Sequence, residues 1–255
     1  MRQVRWMILA ILPMAAAAAA YADGALPERE WQGAGQGGLL VSSGNSSATS
    51  ANAKLTLTRV DGPWKNAVFL AGLYGRSNGI QNGERIEARY RIDHTIDDRR
   101  FWYAGADAVR DLFSGFAYQA TASGGVGYKF IHTEATTLSG TLGAGYQRLQ
   151  PQQLTRDASG AVVDRINDPA TGNAIVAGGL EYACVLTKST TVTDKLNVTS
   201  GSADTAVTND VALAVSMNDR IALSVGYGVR YNTKPAAGVK KLDQVTTINV
   251  VYKIG

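Results

Sequence analysis

Ile221-Ala-Leu-Ser-Val-Gly-Tyr-Gly-Val-Arg-Tyr231 alternates without a break. Ile221, Leu223, Val225, Tyr227, Val229 and Tyr231 are large and apolar. Between them lie Ala222, Ser224, Gly226, Gly228 and Arg230, which are small or charged. Successive side chains of a β-strand point to opposite faces, so this stretch predicts a strand with one wholly apolar face. The segment from Arg85 repeats the pattern: Ile86, Ala88, Tyr90 and Ile92 share one face, and Arg85, Glu87, Arg89, Arg91 and Asp93 share the other. In a soluble sandwich the apolar face would be core and the charges would meet water. In a membrane barrel the apolar face meets lipid and the charges line the lumen.

The N-terminus favours the barrel. Arg2 and Arg5 precede an apolar stretch from Met7 to Ala20, and Ala20-Tyr21-Ala22 supplies small residues for signal-peptidase cleavage. Residues 1–22 therefore read as a secretory signal peptide and 23–255 as the exported domain. The apolar run is shorter than the roughly 20 residues a transmembrane helix needs. No other segment approaches such a helix, so entry into a bilayer would have to be by strands. The formal charge of +4 and the pI near 9.1 include Arg2 and Arg5. Without them the domain is nearly neutral, which gives no signal for nucleic acid. The single cysteine, Cys184, excludes an internal disulfide framework and reads as a small apolar residue.

Turn residues divide the domain into about twelve alternating segments: 30–42, 47–60, 64–76, 83–96, 100–111, 115–131, 136–149, 173–186, 190–199, 204–217, 220–232 and 241–254. Each exceeds or meets the 9–11 residues, roughly, that a tilted strand needs to cross a bilayer. An even count suits an all-β, antiparallel, up-and-down transmembrane barrel. Short turns such as Asp61-Gly62-Pro63 and Asp97-Asp98-Arg99 alternate with longer connections at 76–82, 150–172 and 232–240. The short ones are assigned to the periplasmic end. The 150–172 stretch reads as a long polar loop.

Aromatic residues fall in two belts, as at membrane interfaces. Trp31, Trp64, Trp102, Tyr128 and Tyr252 mark the periplasmic boundary, and Tyr74, Tyr146 and Tyr231 the other. Carrying the strand phase around the barrel predicts an inward set of Lys54, Arg85, Glu87, Arg89, Arg91, Asp93, Asp107, Lys129, Glu181, Asp210, Arg230 and Lys253. The phase is ambiguous in 64–76 and 100–111. A charge on the lipid face would cost about 2–4 kcal/mol at mid-depth, which argues for the inward assignment. The charges fit a narrow channel for small polar solutes or a closed, salt-bridged structural barrel. Twelve strands lie between barrels that fill their own interior and wide porins.

Catalysis has little to stand on. The two histidines, His94 and His132, fall near short turns, and neither lies beside a serine it could activate. No residue set has metal-ligand spacing, and Gly33-x-Gly35-x-x-Gly38 opens a strand rather than a helix, outside any βαβ context. The expectation is a non-enzyme without cofactor or metal. An outer-membrane lipid-modifying hydrolase and a secreted β-sandwich binding protein are the competing readings.

Several stretches resemble the YdiY-like family, grouped as salt-induced outer-membrane proteins of unknown function. They are Trp31-Gln32-Gly33, Ser43-Gly44-Asn45-Ser46, Asn52-Ala53-Lys54-Leu55, Gly83-Glu84-Arg85, Asp111-Leu112-Phe113-Ser114-Gly115-Phe116-Ala117-Tyr118 and the run from Ala120 to Tyr128. The resemblance covers most of the exported domain and implies an outer-membrane location without an activity. Partners expected of such a barrel are outer-membrane lipid including lipopolysaccharide, the barrel-assembly machinery and small polar solutes. The chain departs from the usual aromatic terminus of such barrels by ending Tyr252-Lys253-Ile254-Gly255.

Overall fold

Alternating segments leave backbone N–H and C=O groups pointing sideways, and only pairing with neighbours on both sides satisfies them. In the computed structural model, which describes residues 30–42, 47–113, 116–202, 204–234 and 241–254, the chain satisfies them by closing on itself. The strands are β1 (Gln32–Ser42), β2 (Ala48–Asp61), β3 (Trp64–Ser77), β4 (Ile80–Thr95), β5 (Arg100–Asp111), β6 (Phe116–His132), β7 (Thr136–Arg156), β8 (Val162–Asn167), β9 (Thr171–Thr187), β10 (Thr190–Gly201), β11 (Thr205–Ser216), β12 (Ile221–Asn232) and β13 (Leu242–Ile254). Twelve of them form a closed antiparallel barrel in which sequence neighbours pair. β1 closes it against β13, with Gly35 opposite Tyr252, and β8 stands outside the ring on β7 alone. The predicted signal peptide, the Ser43–Ser46 motif, Ser114-Gly115 and Gly255 lie outside the described residues. No helix among the described residues is long and apolar enough to cross a membrane.

Two connections differ from the sequence reading. The stretch 76–82 is a two-residue hairpin rather than a longer loop: Ser77 pairs with Ile80, and Asn78 and Gly79 take φ of 48° and 82°. Asn-Gly adopts that left-handed pair readily, and its twist matches the flanking strands. The stretch 150–172 is not a simple polar loop. β7 runs on to Arg156 and returns as β8, with Gln152 Nε2 donating to Asn167 Oδ1 at 2.8 Å. At its tip Asp157 Oδ1 accepts from the Ser159 hydroxyl and from the backbone N–H of Ser159 and Ala161, and these bonds, the hydroxyl's foremost, hold its carboxyl below the usual carboxylate range.

The opposite end, which carries both described chain ends, is built from short turns. Asp97 Oδ1 accepts from the N–H of Arg99 at 3.0 Å and of Arg100 at 2.7 Å, and Asn218 Oδ1 repeats this with Arg220 and Ile221. Both are side-chain-capped turns of the type Asp and Asn favour.

β6 and β7 approach so closely that their facing glycines are required. A Cβ on Gly125 would overlap the Leu142 carbonyl and stand 2.5 Å from Gly143 Cα. Gly125→Val is therefore expected to lose the heat-modifiable gel mobility of a folded barrel, whereas Gly37→Val, where the added Cβ meets only the Asn52 carbonyl at 4.0 Å, should retain it. Equal mobility of the two variants would refute the packing argument.

Candidate functional site

On β4 a period of two puts Arg85, Glu87, Arg89, Arg91 and Asp93 on one face, and closure turns that face inward. Glu87 sits between two guanidiniums, with Oε2 3.2 Å from Arg85 Nη2 and Oε1 2.8 Å from Arg89 Nη2. Arg85 also reaches Asp111 at 3.4 Å, and Arg91 Nε lies 2.6 Å from Asp93. Phe69, on the neighbouring β3, points inward as well. Lys54 Nζ and Arg89 Cζ lie 5.9 and 5.4 Å from its ring centre, and Arg91 stacks on Tyr103 at 4.4 Å. Cations over aromatic faces gain electrostatically where water is scarce.

The charges interact across the lumen, not only along its wall. Glu87 on β4 feels Arg230 on β12, and Lys54 on β2 feels Asp210 on β11. Arg230 Nη2 lies 4.0 Å from Asp210. Lys54 and Asp210 are only 5% and 4% exposed, so this layer fills the middle of the barrel. A second layer lies nearer the terminus-bearing end. There Glu181 takes Lys195 at 3.4 Å and interacts with Lys65 and Arg91 from the far wall.

A cavity of about 410 Å³ runs from Arg89 and Phe69 of the middle layer, past the second layer, towards that end. Lys65, Arg89, Arg91, Lys129 and Lys195 line it against the carboxylates of Asp93 and Glu181, with Phe69, Phe101 and His132 among the remaining walls. It is a cation-rich chamber with partly apolar walls.

Each residue of the sequence-derived inward set can be placed. Lys54, Arg85, Glu87, Arg89, Asp107, Asp210 and Arg230 belong to the middle layer, where Thr121 shares a hydrogen bond with Asp107. Arg91, Asp93, Lys129 and Glu181 line the chamber. Lys253 stands apart and donates to Ser216 Oγ at 3.0 Å. Lys65, Lys195, Asp111 and Phe69 face the interior too, though sequence reasoning left them out. In β3, Ala67-Val68-Phe69-Leu70 is apolar on both faces and hides the phase. Lys195 follows Asp194 directly, so one of that pair must face outward, and only the partner Glu181 identifies which.

On the outer wall Trp31, Trp64, Tyr74, Tyr128, Tyr146, Tyr231 and Tyr252 are exposed. Trp102 packs edge-on against Trp64 at 5.4 Å, with the His94 ring 4.4 Å from Trp64. His94 is thus part of an aromatic cluster. Among the described residues no group of three or more His, Cys, Asp or Glu side chains is placed to hold a metal.

The family profile described as "Protein of unknown function, DUF481" matches residues 36–254. The chain belongs to the DUF481 family. The uncharacterized protein YdiY of Escherichia coli (strain K12) is 25% identical over 240 residues, covering 91% of this chain and 86% of YdiY. Among solved structures the NanC porin aligns with a TM-score of 0.50 at 12% identity, over 89% of this chain and 100% of NanC. The translocator domain of the autotransporter NalP from Neisseria meningitidis aligns at 0.45 and 11% identity, over 88% and 87%. With NanC the DUF481 chain shares an outer-membrane-type barrel fold, and its sequence relative is uncharacterized.

One outward carboxylate breaks the lipid-face rule in this DUF481 barrel. Asp194 lies opposite Val211 and Tyr182 in the outer row, and Asn209 Nδ2 donates to it at 2.6 Å. Leaving a poorly hydrated polar group without its partner costs about 1–3 kcal/mol, whereas replacing both partners by apolar groups is nearly neutral. Asn209→Leu should therefore destabilise the refolded barrel by about 1–3 kcal/mol in urea titration. Adding Asp194→Leu should recover most of that loss, and a double variant as weak as the single one would show that the pair is not coupled.

Proposed function

We propose that this barrel is a narrow outer-membrane porin favouring small anionic and polar solutes. The observation that carries the reading is the 410 Å³ chamber, where Lys65, Arg91, Lys129 and Lys195 outnumber the carboxylates of Asp93 and Glu181. In a narrow space walled by low-dielectric protein, such an imbalance concentrates anions and repels cations. NanC is a porin, and this chain shares its barrel fold. The predicted signal peptide supports export. On this reading the short-turn end faces the periplasm, the outer wall meets phospholipid and lipopolysaccharide, and the barrel-assembly machinery inserts the chain.

The middle layer favours a second reading, a closed structural barrel. Arg85, Arg89, Lys54 and Arg230 are matched there by Glu87, Asp107, Asp111 and Asp210, and several of these side chains are almost fully buried. The two layers respond differently to substitution, which separates the readings. In planar bilayers the refolded protein should conduct with a zero-current potential on the anion side under a salt gradient. Lys129→Gln should move that potential towards cation preference with little change in urea stability. Arg85→Gln should instead cost stability, because Asp111 and Glu87 each lose a buried partner worth about 1–3 kcal/mol. No conductance at any salt concentration would sink the porin and leave the structural barrel.

A further inference from the structure

The outer wall is not uniformly convex. Across β6, β7, β9 and β10 it holds an apolar recess of about 710 Å³, within the roughly 300–1,000 Å³ typical of small-molecule sites. Glycines make it. Gly140 lies in the outward row between Phe130 and Leu180, and a Cβ there would stand 2.8 Å from the Phe130 ring and 3.2 Å from a Leu180 methyl. Gly178, beside it, faces open space, its nearest neighbour being the Thr141 carbonyl at 3.7 Å from an added Cβ. Val126, Leu142, Leu196 and Val198 complete walls that carry almost no polar surface.

Polar groups gather only at its mouth, on the terminus-bearing end. Ile96, Arg100 and Tyr128 border the recess there. Asp97 binds the Arg100 guanidinium at 2.6 Å and caps the turn, so Arg100 is committed to the turn itself. The next guanidinium, Arg99, lies along the outer wall with Nη1 3.5 Å from the Tyr128 hydroxyl. An N–H fork and a phenolic O–H thus stand together at the depth of an aromatic belt, above an apolar slot. That is the order of chemistry in a glycerophospholipid: phosphate at the interface, acyl chain beneath. Guanidinium and hydroxyl both donate to phosphate oxygens, and guanidinium–phosphate bonds are among the stronger charge-assisted kind.

We propose that this recess binds one glycerophospholipid of the periplasmic leaflet, its acyl chain over Gly140 and Gly178 and its phosphate at Arg99 and Tyr128. The assignment rests on the outer-membrane reading, since the terminus-bearing end is the periplasmic one only in that orientation. Over a convex stretch of wall lipid exchanges freely. Here a chain enters a groove while its headgroup meets a fixed cation, so one lipid should outlast the rest.

The test refolds the full exported chain in vesicles of phosphatidylethanolamine and phosphatidylglycerol, transfers it to a non-ionic detergent and counts retained lipids by native mass spectrometry. One phospholipid per chain is expected. Gly178→Leu, which fills the slot without a backbone clash, should abolish retention. Arg99→Gln should lower it about tenfold, the equivalent of one charge-assisted hydrogen bond, while leaving retention of an added neutral alkane such as hexadecane unchanged. Equal retention in the wild type and both variants, or displacement of the phospholipid by lipopolysaccharide, would overturn the site. In those cases heat-modifiable mobility persists and the barrel reading stands. Loss of that mobility in the wild type, or extraction without detergent, would overturn barrel insertion and lipid site together.

Discussion

Every feature of this molecule depends on backbone hydrogen bonding having no substitute in hydrocarbon. A strand in lipid with an unpaired edge leaves its N–H and C=O groups unsatisfied, so a sheet that enters a bilayer must close. Closure here is made by β1 with β13, where Gly35 lies opposite Tyr252, and the β6–β7 pairing completes the ring. Once the ring is shut, side chains have two choices, in or out, alternating along each strand. The placement of every charge on β4 follows from that single geometric rule. β8 can stay outside the ring because it extends beyond the barrel end, where water can serve its free edge.

The rule has a cost on the inside. Turning the β4 charges inward gathers them in a space too narrow for full hydration, and they must find partners across the lumen as well as along the wall. Glu87 answers Arg85 and Arg89 on its own strand and interacts with Arg230 from the opposite side. Phe69 offers its ring faces to Lys54 and Arg89. On the outside the same rule leaves Asp194 facing lipid because Lys195 must meet Glu181, and Asn209 offsets the exposure. One misplaced carboxylate is thereby traded for a well-placed ion pair.

The barrel was legible in the sequence because period-two alternation is a local property that closure does not alter. Strands such as 100–111 and 64–76 coincide with, or fall within one residue of, the observed β5 and β3. What escaped was chemistry that depends on neighbours. Asn78-Gly79 is a strong hairpin signal, yet the polar run around it read as a loop. The β7–β8 extension hid in a segment whose alternation is masked by polar residues on both faces, since outside the membrane neither face must be apolar. Lys65 and Lys195 were missed because a single strand cannot say which of two adjacent polar residues faces in. Pairing with Asp93 and Glu181 decides it, and pairing is not local.

The two charged layers divide the work of the lumen. In the middle layer cations and carboxylates are equal in number and mutually paired, so their fields cancel beyond a few ångströms and what remains is cohesion between walls. Nearer the terminus-bearing end the numbers differ: Lys65, Arg91, Lys129 and Lys195 outnumber Asp93 and Glu181 around a cavity. A field that is not cancelled acts on whatever enters. The same inward rule therefore gives the middle layer a balanced set of charges and the lower chamber an excess of cations, and the difference between them is only which residues stand opposite. Selectivity in such a barrel needs no dedicated site. It needs a place where charges of one sign outnumber those of the other.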